Sequence, residues 1–350
     1  MNQENPSDTL TRRLPELEGM RGVLALWVLA YHVLSISGWW QNLPNSVKAV
    51  ADGTNAVDVF ILLSGFVICG LLLSKREPYF VFLFRRYARL MPVFVICLIA
   101  ALSAEAMGYM PVRYKSQDLP FLLAGNLTLL HGAIPEFWIK GASGAILNPA
   151  WSISLEWQFY LVAPFLVALL SRFGSRFIAG SLVCIAIYRL ALPNLVGFSS
   201  AFLPYKIQLF WIGIVSALAY RWIASNEANR NLGQAVALAA LAACVLLLPY
   251  KQNIGLLIWI VTMVMLTGRW QGIWHLLGSK TFVALGALSY PLYLAHEVII
   301  WIVVSHWTPK SNNELLLLFA VVFVLAILSA WILHKIIEVP VNNFAKRVFN

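Results

Sequence analysis

Two cationic side chains lie in the first apolar stretch of the chain, which reads LEGMRGVLALWVLAYHVL over residues 17–34. Arg21 and His32 are about three helical turns apart, so both project from nearly the same face, about 16 Å apart along the axis. An imidazole can act as a general base near neutral pH. The alternative is an arginine that reaches the lipid headgroups and a histidine with a structural hydrogen bond.

A carboxylate falls inside the second apolar stretch, AVDVFILLSGF. Asp58 requires a partner in lipid, and a cation or an imidazole is the expected one. We predict that Asp58, or Glu156 of a later stretch, orients the imidazole of His32 and stabilises its protonated form, as the acid does in a catalytic triad. A purely structural ion pair is the alternative.

A polar stripe runs along the stretch WSISLEWQFY. Ser152, Glu156 and Tyr160 follow one another at four-residue intervals and so share one face of a helix. We predict that this stripe lies near the depth of His32, with Ser152 and Tyr160 contacting the substrate. Trp151 either stacks on a sugar ring or belongs to an interfacial aromatic belt.

A second stripe lies in GALSYPLYLAHEVIIW. Ser289, Tyr293 and His296 fall on one helical face, and Pro291 interrupts the backbone hydrogen bonds there. We predict that Tyr293 and His296 belong to the catalytic site, with Tyr293 or Arg21 stabilising an oxyanion. A histidine that makes only a structural hydrogen bond is the alternative.

A basic segment, KREPYFVFLFRRYARLMP, follows the second apolar stretch as a predicted loop. Arg85 and Arg89 are one helical turn apart beside Arg86, and Pro92 follows where the next span is predicted to begin. Guanidinium groups bind phosphates well, so these three arginines are candidates for binding the phosphates of a cytoplasmic cofactor. The alternative is a cluster that serves only to orient the protein in the membrane.

The composition puts these motifs in a membrane. Of the 350 residues, 60% are hydrophobic and 11% are charged, which excludes an ordinary soluble domain. The apolar runs predict an all-α polytopic transmembrane helix bundle of about ten spans, near residues 17–37, 54–73, 90–108, 150–170, 177–193, 204–223, 232–249, 254–268, 282–304 and 314–335. A shorter run at 119–130 predicts a re-entrant or interfacial segment, with an eleventh crossing as the alternative.

The distribution of charge predicts the orientation. Of the 25 Lys and Arg residues, sixteen fall on the side of the N-terminus, eight on the other side, and Arg21 within a span. The positive-inside rule then puts both termini in the cytoplasm. Residues 1–16 and 338–350 are predicted cytoplasmic tails around a transmembrane domain at 17–337, and no signal peptide is expected.

The net charge of +10 therefore indicates membrane topology and contact with lipids, and no nucleic-acid partner is expected. The four cysteines all fall in apolar runs without metal-ligand spacing, so no metal is expected.

Together these stretches resemble acyltransferase family 3, whose members are integral-membrane enzymes that acylate bacterial surface glycans. The matching motifs are the Arg-x10-His of Arg21 and His32, VDVFILLSGF, RRYARLMP, WSISLEWQFY, SYPLYLAH and a closing Glu-x-Pro at Glu338, in family order. Glu18 stands where family members more often have Asp. The sequence shows no fused extracytoplasmic esterase-like domain, which some relatives carry.

The resemblance implies transfer of an acyl group, usually acetyl from acetyl-CoA, to a hydroxyl of O-antigen, exopolysaccharide or a related lipid-linked glycan at the bacterial cytoplasmic membrane. His32 would correspond to the essential family histidine and Arg21 to its paired arginine. Other members act on macrolides or add succinyl groups, so the acceptor and the acyl group stay open. The oligomeric state stays open too, as does the choice between direct transfer and an acyl-histidine intermediate.

Two other classes of protein remain as alternatives. A secondary transporter for an anionic or lipid-linked sugar substrate would also bury Arg, His, Asp and Glu side chains, but the sequence shows no repeats and no paired broken helices. A non-catalytic membrane scaffold would not account for the alignment of Arg21 with His32 or for the polar stripes.

Overall fold

Long apolar runs with few helix-breaking residues form helices in the part of this chain that the structure describes. A computed structural model describes residues 14–74, 77–191, 197–224, 233, 250–268 and 272–348, and within these ranges it contains helices and no strands, which confirms the all-α prediction. The first six helices are α1 (Pro15–Ile36), α2 (Asn45–Ala51), α3 (Gly53–Ser74), α4 (Tyr79–Ala106), α5 (Leu119–Leu127) and α6 (Trp151–Phe173). The others are α7 (Ser175–Ala191), α8 (Leu203–Ala224), α9 (Tyr250–Thr267), α10 (Gly272–Leu277), α11 (Lys280–Ala287), α12 (Ser289–His306), α13 (Asn312–Leu333) and α14 (Val339–Val348).

Several of these helices are able to cross a bilayer. In the described part of the chain, six helical segments are long and apolar enough: Pro15–Ile36, Asn45–Ser74, Tyr79–Ala106, Asn148–Phe173, Leu203–Ala224 and Asn312–Val348. The bent pair α11 and α12 makes a seventh when counted as one span. The protein is therefore a multi-pass membrane protein.

The count of ten spans and the cytoplasmic termini stay predictions. The helices α7 and α9 correspond to the predicted spans 177–193 and 254–268. The predicted span 232–249 lies almost entirely outside the described residues.

The basic segment is helical, which corrects its assignment as a loop. The helix α4 begins at Tyr79, well before the predicted start of the third span, so Arg85, Arg86 and Arg89 lie in its first three turns and Pro92 lies inside it. The residues that follow Pro78 contain no glycine or proline before Pro92, so nothing in this segment interrupts the helix. The three arginines are therefore held on a rigid element.

The predicted span 282–304 is two helices, α11 and α12, which meet at Leu288 with a bend of 63°. Pro291 lies in the first turn of α12, where a backbone N–H has no partner within the helix in any case. The helix is therefore interrupted at Leu288, three residues before the predicted position at Pro291.

The connection between α4 and α6 contains the short helix α5. Its nine residues span about 14 Å, well below the roughly 30 Å of a bilayer core, so α5 is too short to be an eleventh crossing. At the other end of the chain, the predicted cytoplasmic tail forms α14, which packs against α4. A π turn at His334–Glu338 joins α13 to α14.

Two close helix contacts depend on glycine. A methyl group added at Gly65 of α3 would lie 2.2 Å from the backbone oxygen of Phe210 in α8, and one added at Gly286 of α11 would lie 1.9 Å from the backbone oxygen of Glu18 in α1. Small residues of this kind let helix backbones approach each other in membranes. The second contact fixes the start of α1, and with it the position of Arg21.

Candidate active site

Two adjoining cavities run into the helix bundle. The wide cavity has a volume of about 730 Å³ and the narrow cavity about 80 Å³. The residues that line both are Arg21, Arg86, Arg89, Ser289 and Tyr290. The narrow cavity is therefore an inward extension of the wide one.

Most of the lining of the narrow cavity comes from three helices, namely α3, α6 and α12, and α1 contributes Arg21. One end, which we call the arginine end, holds Arg21, Arg86 and Arg89. The opposite end, which we call the histidine end, is where Ser152 and Tyr293 line the cavity beside His296 and His32. Both predicted stripes point the same way: Ser152, Glu156 and Tyr160 line the narrow cavity together, as do Ser289 and Tyr293.

The arginine end contains buried hydrogen-bond donors without acceptors among the described residues. The Nε–H groups of Arg21 and Arg86 are buried and have no acceptor among the described residues. The guanidinium carbon of Arg86 lies 5.6 Å from the centre of the Phe82 ring and 6.0 Å from that of Tyr160. Leaving a buried charged donor without an acceptor is costly, so this end is complementary to an anion.

The charge of the wide cavity supports the same conclusion. Among the described residues that line it, five are Lys or Arg and three are Glu. One of the three, Glu77, pairs with Arg85, and another, Glu338, lies 2.8 Å from Nδ1 of His334. The excess of positive charge favours anionic ligands.

Glu156 belongs to the arginine end, which corrects its predicted role. The hydroxyl of Ser64 donates a 2.6 Å hydrogen bond to its carboxylate, the hydroxyl of Tyr160 donates another, and its charge interacts with those of Arg21 and Arg89. Glu156 makes no hydrogen bond to His32. It lies one helical turn after Ser152 along α6, on the side of the arginine end.

Asp58 has the cationic partner that the sequence predicts, but this partner is Lys206 of α8, at 2.7 Å. A methyl group added at Gly255 of α9 would lie 2.9 Å from Cβ of Asp58, so this face of α3 is turned towards α8 and α9. Asp58 lines neither cavity and makes no hydrogen bond to His32. The prediction that Asp58 orients the imidazole is therefore wrong.

The histidine end is built around a contact between two imidazoles. Nδ1 of His32 lies 3.1 Å from Nε2 of His296 and 3.0 Å from the backbone oxygen of Val28. The Tyr293 ring centre is 5.9 Å from that of His296, and the Tyr293 hydroxyl lies 2.8 Å from the Ser152 hydroxyl. Neither histidine lines the two cavities, so the narrow cavity reaches the imidazole pair through Tyr293.

Comparison with known proteins decides the family. A family model described as "Acyltransferase domain", that of acyltransferase family 3, matches residues 14–335. The chain belongs to acyltransferase family 3. The resemblance read from the sequence motifs is thereby confirmed.

Named relatives of this family 3 protein are distant but cover nearly the whole chain. It is 26% identical to "Acyltransferase MdmB" of Streptomyces mycarofaciens, over 94% of the chain and 91% of the relative. It is 22% identical to "O-acetyltransferase OatA" of Staphylococcus aureus, over 97% of the chain and 58% of the relative. It is 24% identical to "Putative peptidoglycan O-acetyltransferase YrhL" of Bacillus subtilis, over 97% of the chain and 57% of the relative. No solved structure matches the chain significantly.

The Arg-x10-His motif of this family 3 chain spans the site from one end to the other. Arg21 lines both cavities, whereas His32 lies one turn before the end of α1. His32 is therefore close to the end of its helix, not at its centre.

Two of the predicted site residues lie apart from the narrow cavity. Arg85 pairs with Glu77 and lines only the wide cavity. Trp151 is half-buried against the core and lines neither cavity, so the structure gives no support for its predicted stacking on substrate.

An ion pair that the sequence motifs do not predict, between Arg113 and Glu297, lies beside the imidazoles. Glu297 is buried next to His296, and its carboxylate accepts hydrogen bonds of 2.8 Å from Arg113 and from the backbone N–H of Asn148. A carboxylate inside an apolar run was the available signal for Glu297. Arg113 lies in a connecting segment whose contacts the sequence pattern does not predict.

The described residues contain no group of three or more His, Cys, Asp and Glu side chains that could hold a metal ion.

Proposed function

We propose that the protein is a membrane O-acyltransferase that moves an acetyl group from cytoplasmic acetyl-CoA to a hydroxyl of a surface or lipid-linked glycan. The observation that carries this proposal is the junction of a cationic wide cavity with a narrow one that ends beside two imidazoles. Membership of acyltransferase family 3 supports acyl transfer as the reaction class.

The wide cavity suits the nucleotide part of acetyl-CoA. Its volume of about 730 Å³ falls in the range of small-molecule sites, and Arg21, Arg86 and Arg89 offer guanidinium groups to the phosphates. The narrow cavity suits an extended arm, and we assign it to the pantetheine chain. The thioester then lies near Tyr293 and Ser152.

The acceptor hydroxyl approaches from the opposite side of the membrane, at the end of α1 that carries His32. The imidazole of His32 removes the hydroxyl proton while the acceptor oxygen attacks the thioester carbonyl carbon. The carbon–sulfur bond then breaks, the acyl–oxygen bond is complete, and the proton passes to the departing CoA sulfur. Reactants and products therefore balance without a further reagent.

The hydroxyl groups of Tyr293 and Ser152 are the donors available to the oxyanion. They lie 2.8 Å apart, and both are within hydrogen-bonding distance of the backbone oxygen of Pro149. A short rotation of either hydroxyl directs a proton into the narrow cavity. Such donors stabilise the negative charge that develops on the carbonyl oxygen.

The names of two relatives support O-acetylation, since both are called O-acetyltransferases and the name of one of them adds peptidoglycan. The chain spans only 58% and 57% of those proteins. We therefore propose an acetyl group and a glycan acceptor for this chain, at the bacterial cytoplasmic membrane, without choosing among glycans.

The test uses purified protein in lipid nanodiscs with radiolabelled acetyl-CoA and an extract of cell-envelope glycolipids. We expect transfer of label to glycolipid by the natural protein. The His32→Ala variant should lose about 10²–10⁴-fold in rate, because a general base typically contributes that much. Acetyl-CoA binding should persist in this variant, since His32 lines neither cavity.

The matched control is His306→Ala, which removes an exposed imidazole at the end of α12 and should leave the rate unchanged. Transfer by His32→Ala at the natural rate would exclude His32 as the base. Failure of the natural protein to bind acetyl-CoA would exclude it as the donor.

A further inference from the structure

The two imidazoles of the histidine end differ in their access to substrate. His296 is 0% exposed, whereas His32 is half-buried. A reacting group can therefore touch His32 but not His296. Any contribution of His296 to the reaction has to pass through the hydrogen bond between them.

The hydrogen bonds of this pair fix the position of each proton. Nδ1 of His32 faces the backbone oxygen of Val28 at 3.0 Å, and Nδ1 of His296 faces that of Leu292 at 3.2 Å. A carbonyl oxygen only accepts hydrogen bonds, so both Nδ1 atoms carry a proton. In the neutral ring of His296, Nε2 then has no proton and accepts from the Nδ1–H of His32, 3.1 Å away; this one proton is shared between the Val28 oxygen and Nε2 of His296.

One nitrogen of the pair is left with a lone pair and no partner. Nε2 of His32 makes no hydrogen bond to any of the described residues, and it carries no proton once Nδ1 holds one. This nitrogen is the basic atom of the pair.

Protonation affects the two rings differently. When Nε2 of His32 takes up a proton, the hydrogen bonds that the two Nδ1–H groups donate remain as they are. If His296 took up a proton, its Nε2–H would face the Nδ1–H of His32, and the contact between the rings would be lost. The arrangement therefore lets His32 gain and lose a proton while His296 stays neutral.

The neighbouring carboxylate does not take the place of His296. Both oxygens of Glu297 are engaged, one by Arg113 and the other by the backbone N–H of Asn148. Among the described residues, no carboxylate hydrogen-bonds to His32 or His296.

The geometry points to His296 as a positioning residue, which accepts a hydrogen bond from Nδ1 of His32 and so keeps Nε2 of His32 as the base. Its meaning for the reaction rests on the proposed function of His32. His296 occupies the position that an acidic side chain has in a Ser-His-Asp triad, but it carries no charge. It holds the tautomer and the orientation of the ring without stabilising the imidazolium by an opposite charge.

The kinetic test compares His296→Gln with His296→Leu. Glutamine brings an amide oxygen that can accept from Nδ1 of His32, whereas leucine fills the space without an acceptor. We expect kcat to fall about 10–100-fold in His296→Leu, by analogy with the loss of other partners that orient a functional histidine, and the KM for acetyl-CoA to stay unchanged. His296→Gln should recover most of kcat, and His306→Gln is the matched control.

A second measurement reads the tautomer directly and needs no turnover. In nitrogen-15 NMR spectra of histidine-labelled protein in lipid, the His32 signal is identified by its loss in His32→Gln. We expect neutral His32 in the natural protein to carry its proton on Nδ1, and His296→Leu to contain the Nε2–H form as well.

A natural protein in which neutral His32 carries its proton on Nε2 would overturn the proposal, and so would a His296→Leu variant with the natural kcat. Because the spectrum is recorded without substrate, it distinguishes a failure of the proposed function from a failure of the proposed role of His296. A protein that transfers no acyl group would overturn the proposed function, while the tautomer would still be decided by the NMR signal.

Discussion

Arg21 shows at the scale of one residue how the site is organised. Its side chain lines both cavities, and its Nε–H is buried without an acceptor among the described residues. Such a donor is satisfied when a hydrogen-bond acceptor occupies the junction, and an anion also offsets the buried charge. The type and spacing of Arg21 were sufficient to single it out, but its place at the junction depends on the packing of α1 against α11.

Replacing Arg89 by glutamine should weaken acetyl-CoA binding. Arg89 lines both cavities, and loss of a hydrogen bond to a charged group typically costs about 1.5–3 kcal/mol, or roughly 10–100-fold in affinity. The effect should shrink at high salt. Equilibrium binding of labelled acetyl-CoA at several salt concentrations measures the loss of affinity and its salt dependence.

Two comparison variants sharpen this result. Arg85→Gln should have a smaller effect, because Arg85 already pairs with Glu77 and lines only the wide cavity. Arg172→Gln, at the end of α6 and outside both cavities, should have none. Equal affinity in Arg89→Gln and the natural protein would mean that the cluster serves only membrane orientation.

Phe60→Ala should broaden the range of acyl groups accepted. The Phe60 ring lines the narrow cavity and lies 6.1 Å from the Tyr293 ring, so its removal widens the histidine end. A few methylene groups are worth 10-fold or more in such pockets, so we expect the rate with butyryl-CoA to rise about 10-fold relative to acetyl-CoA. An unchanged ratio of the two rates would show that Phe60 does not limit acyl length.

At the scale of helices, α3 and α8 make a close backbone contact near the site. The backbones meet at Gly65 and Gly213, where an added methyl group would lie 2.2 Å from the Phe210 oxygen and 2.1 Å from the Leu62 oxygen. The same helix α3 carries Ser64 and Phe60 into the narrow cavity. A shift of α3 would therefore move two residues that line the narrow cavity.

Gly65→Ala should destabilise the protein, and Gly180→Ala should not. Alanine favours helix over glycine by about 1 kcal/mol at both positions, but only the methyl group at Gly65 meets backbone. A methyl group at Gly180 meets nothing within 4 Å. Melting temperatures in the same detergent measure the contrast, and equal values for the two variants would contradict the close contact.

Helix boundaries were harder to predict than helices. The basic segment continues into α4 because no residue between Tyr79 and Pro92 breaks a helix, but apolar runs alone put the start of the span near residue 90. The bend at Leu288 depends on how α11 packs against α1, which a single sequence does not reveal.

At the scale of the whole molecule, the connection between α4 and α6 forms part of the folded core. His131 in this connection is 1% exposed, and its Nε2 lies 3.0 Å from the backbone oxygen of Ala150. Burial lowers the pKa of His131 to about 4, because the imidazolium is poorly solvated there. The ring is therefore neutral in the folded protein at neutral pH.

This burial predicts a loss of stability in mild acid. A histidine in the unfolded chain has a pKa of about 6.5, so between about pH 6.5 and pH 4 the unfolded state binds a proton that the folded state does not. Stability should then fall by up to about 1.4 kcal/mol per pH unit as pH decreases. We expect the drop in melting temperature from pH 7.5 to 5.5 to be smaller in His131→Gln.

The control is His306→Gln, which removes an exposed imidazole. The drop in melting temperature between pH 7.5 and 5.5 should be the same in this variant as in the natural protein. If His131→Gln and the natural protein lose the same stability in acid, the buried imidazole at residue 131 is not its source.

Much of the site was predictable because membrane helices restrict where polar residues occur. The stripe of Ser152, Glu156 and Tyr160 lines one cavity as its spacing predicts. Spacing along one helix does not identify a partner on another, however. Asp58 therefore pairs with Lys206 and not with His32, whose hydrogen-bond partner on another helix is an imidazole.

The separation of the arginine end from the histidine end has a consequence for energetics. In the proposed arrangement, CoA enters and leaves on one face of the membrane, while the acyl group departs on the other. Chemistry and vectorial movement are then a single event, driven by the energy of the thioester bond. Such a protein needs no ion gradient, and it exports an acyl group as an ester without exporting the carrier.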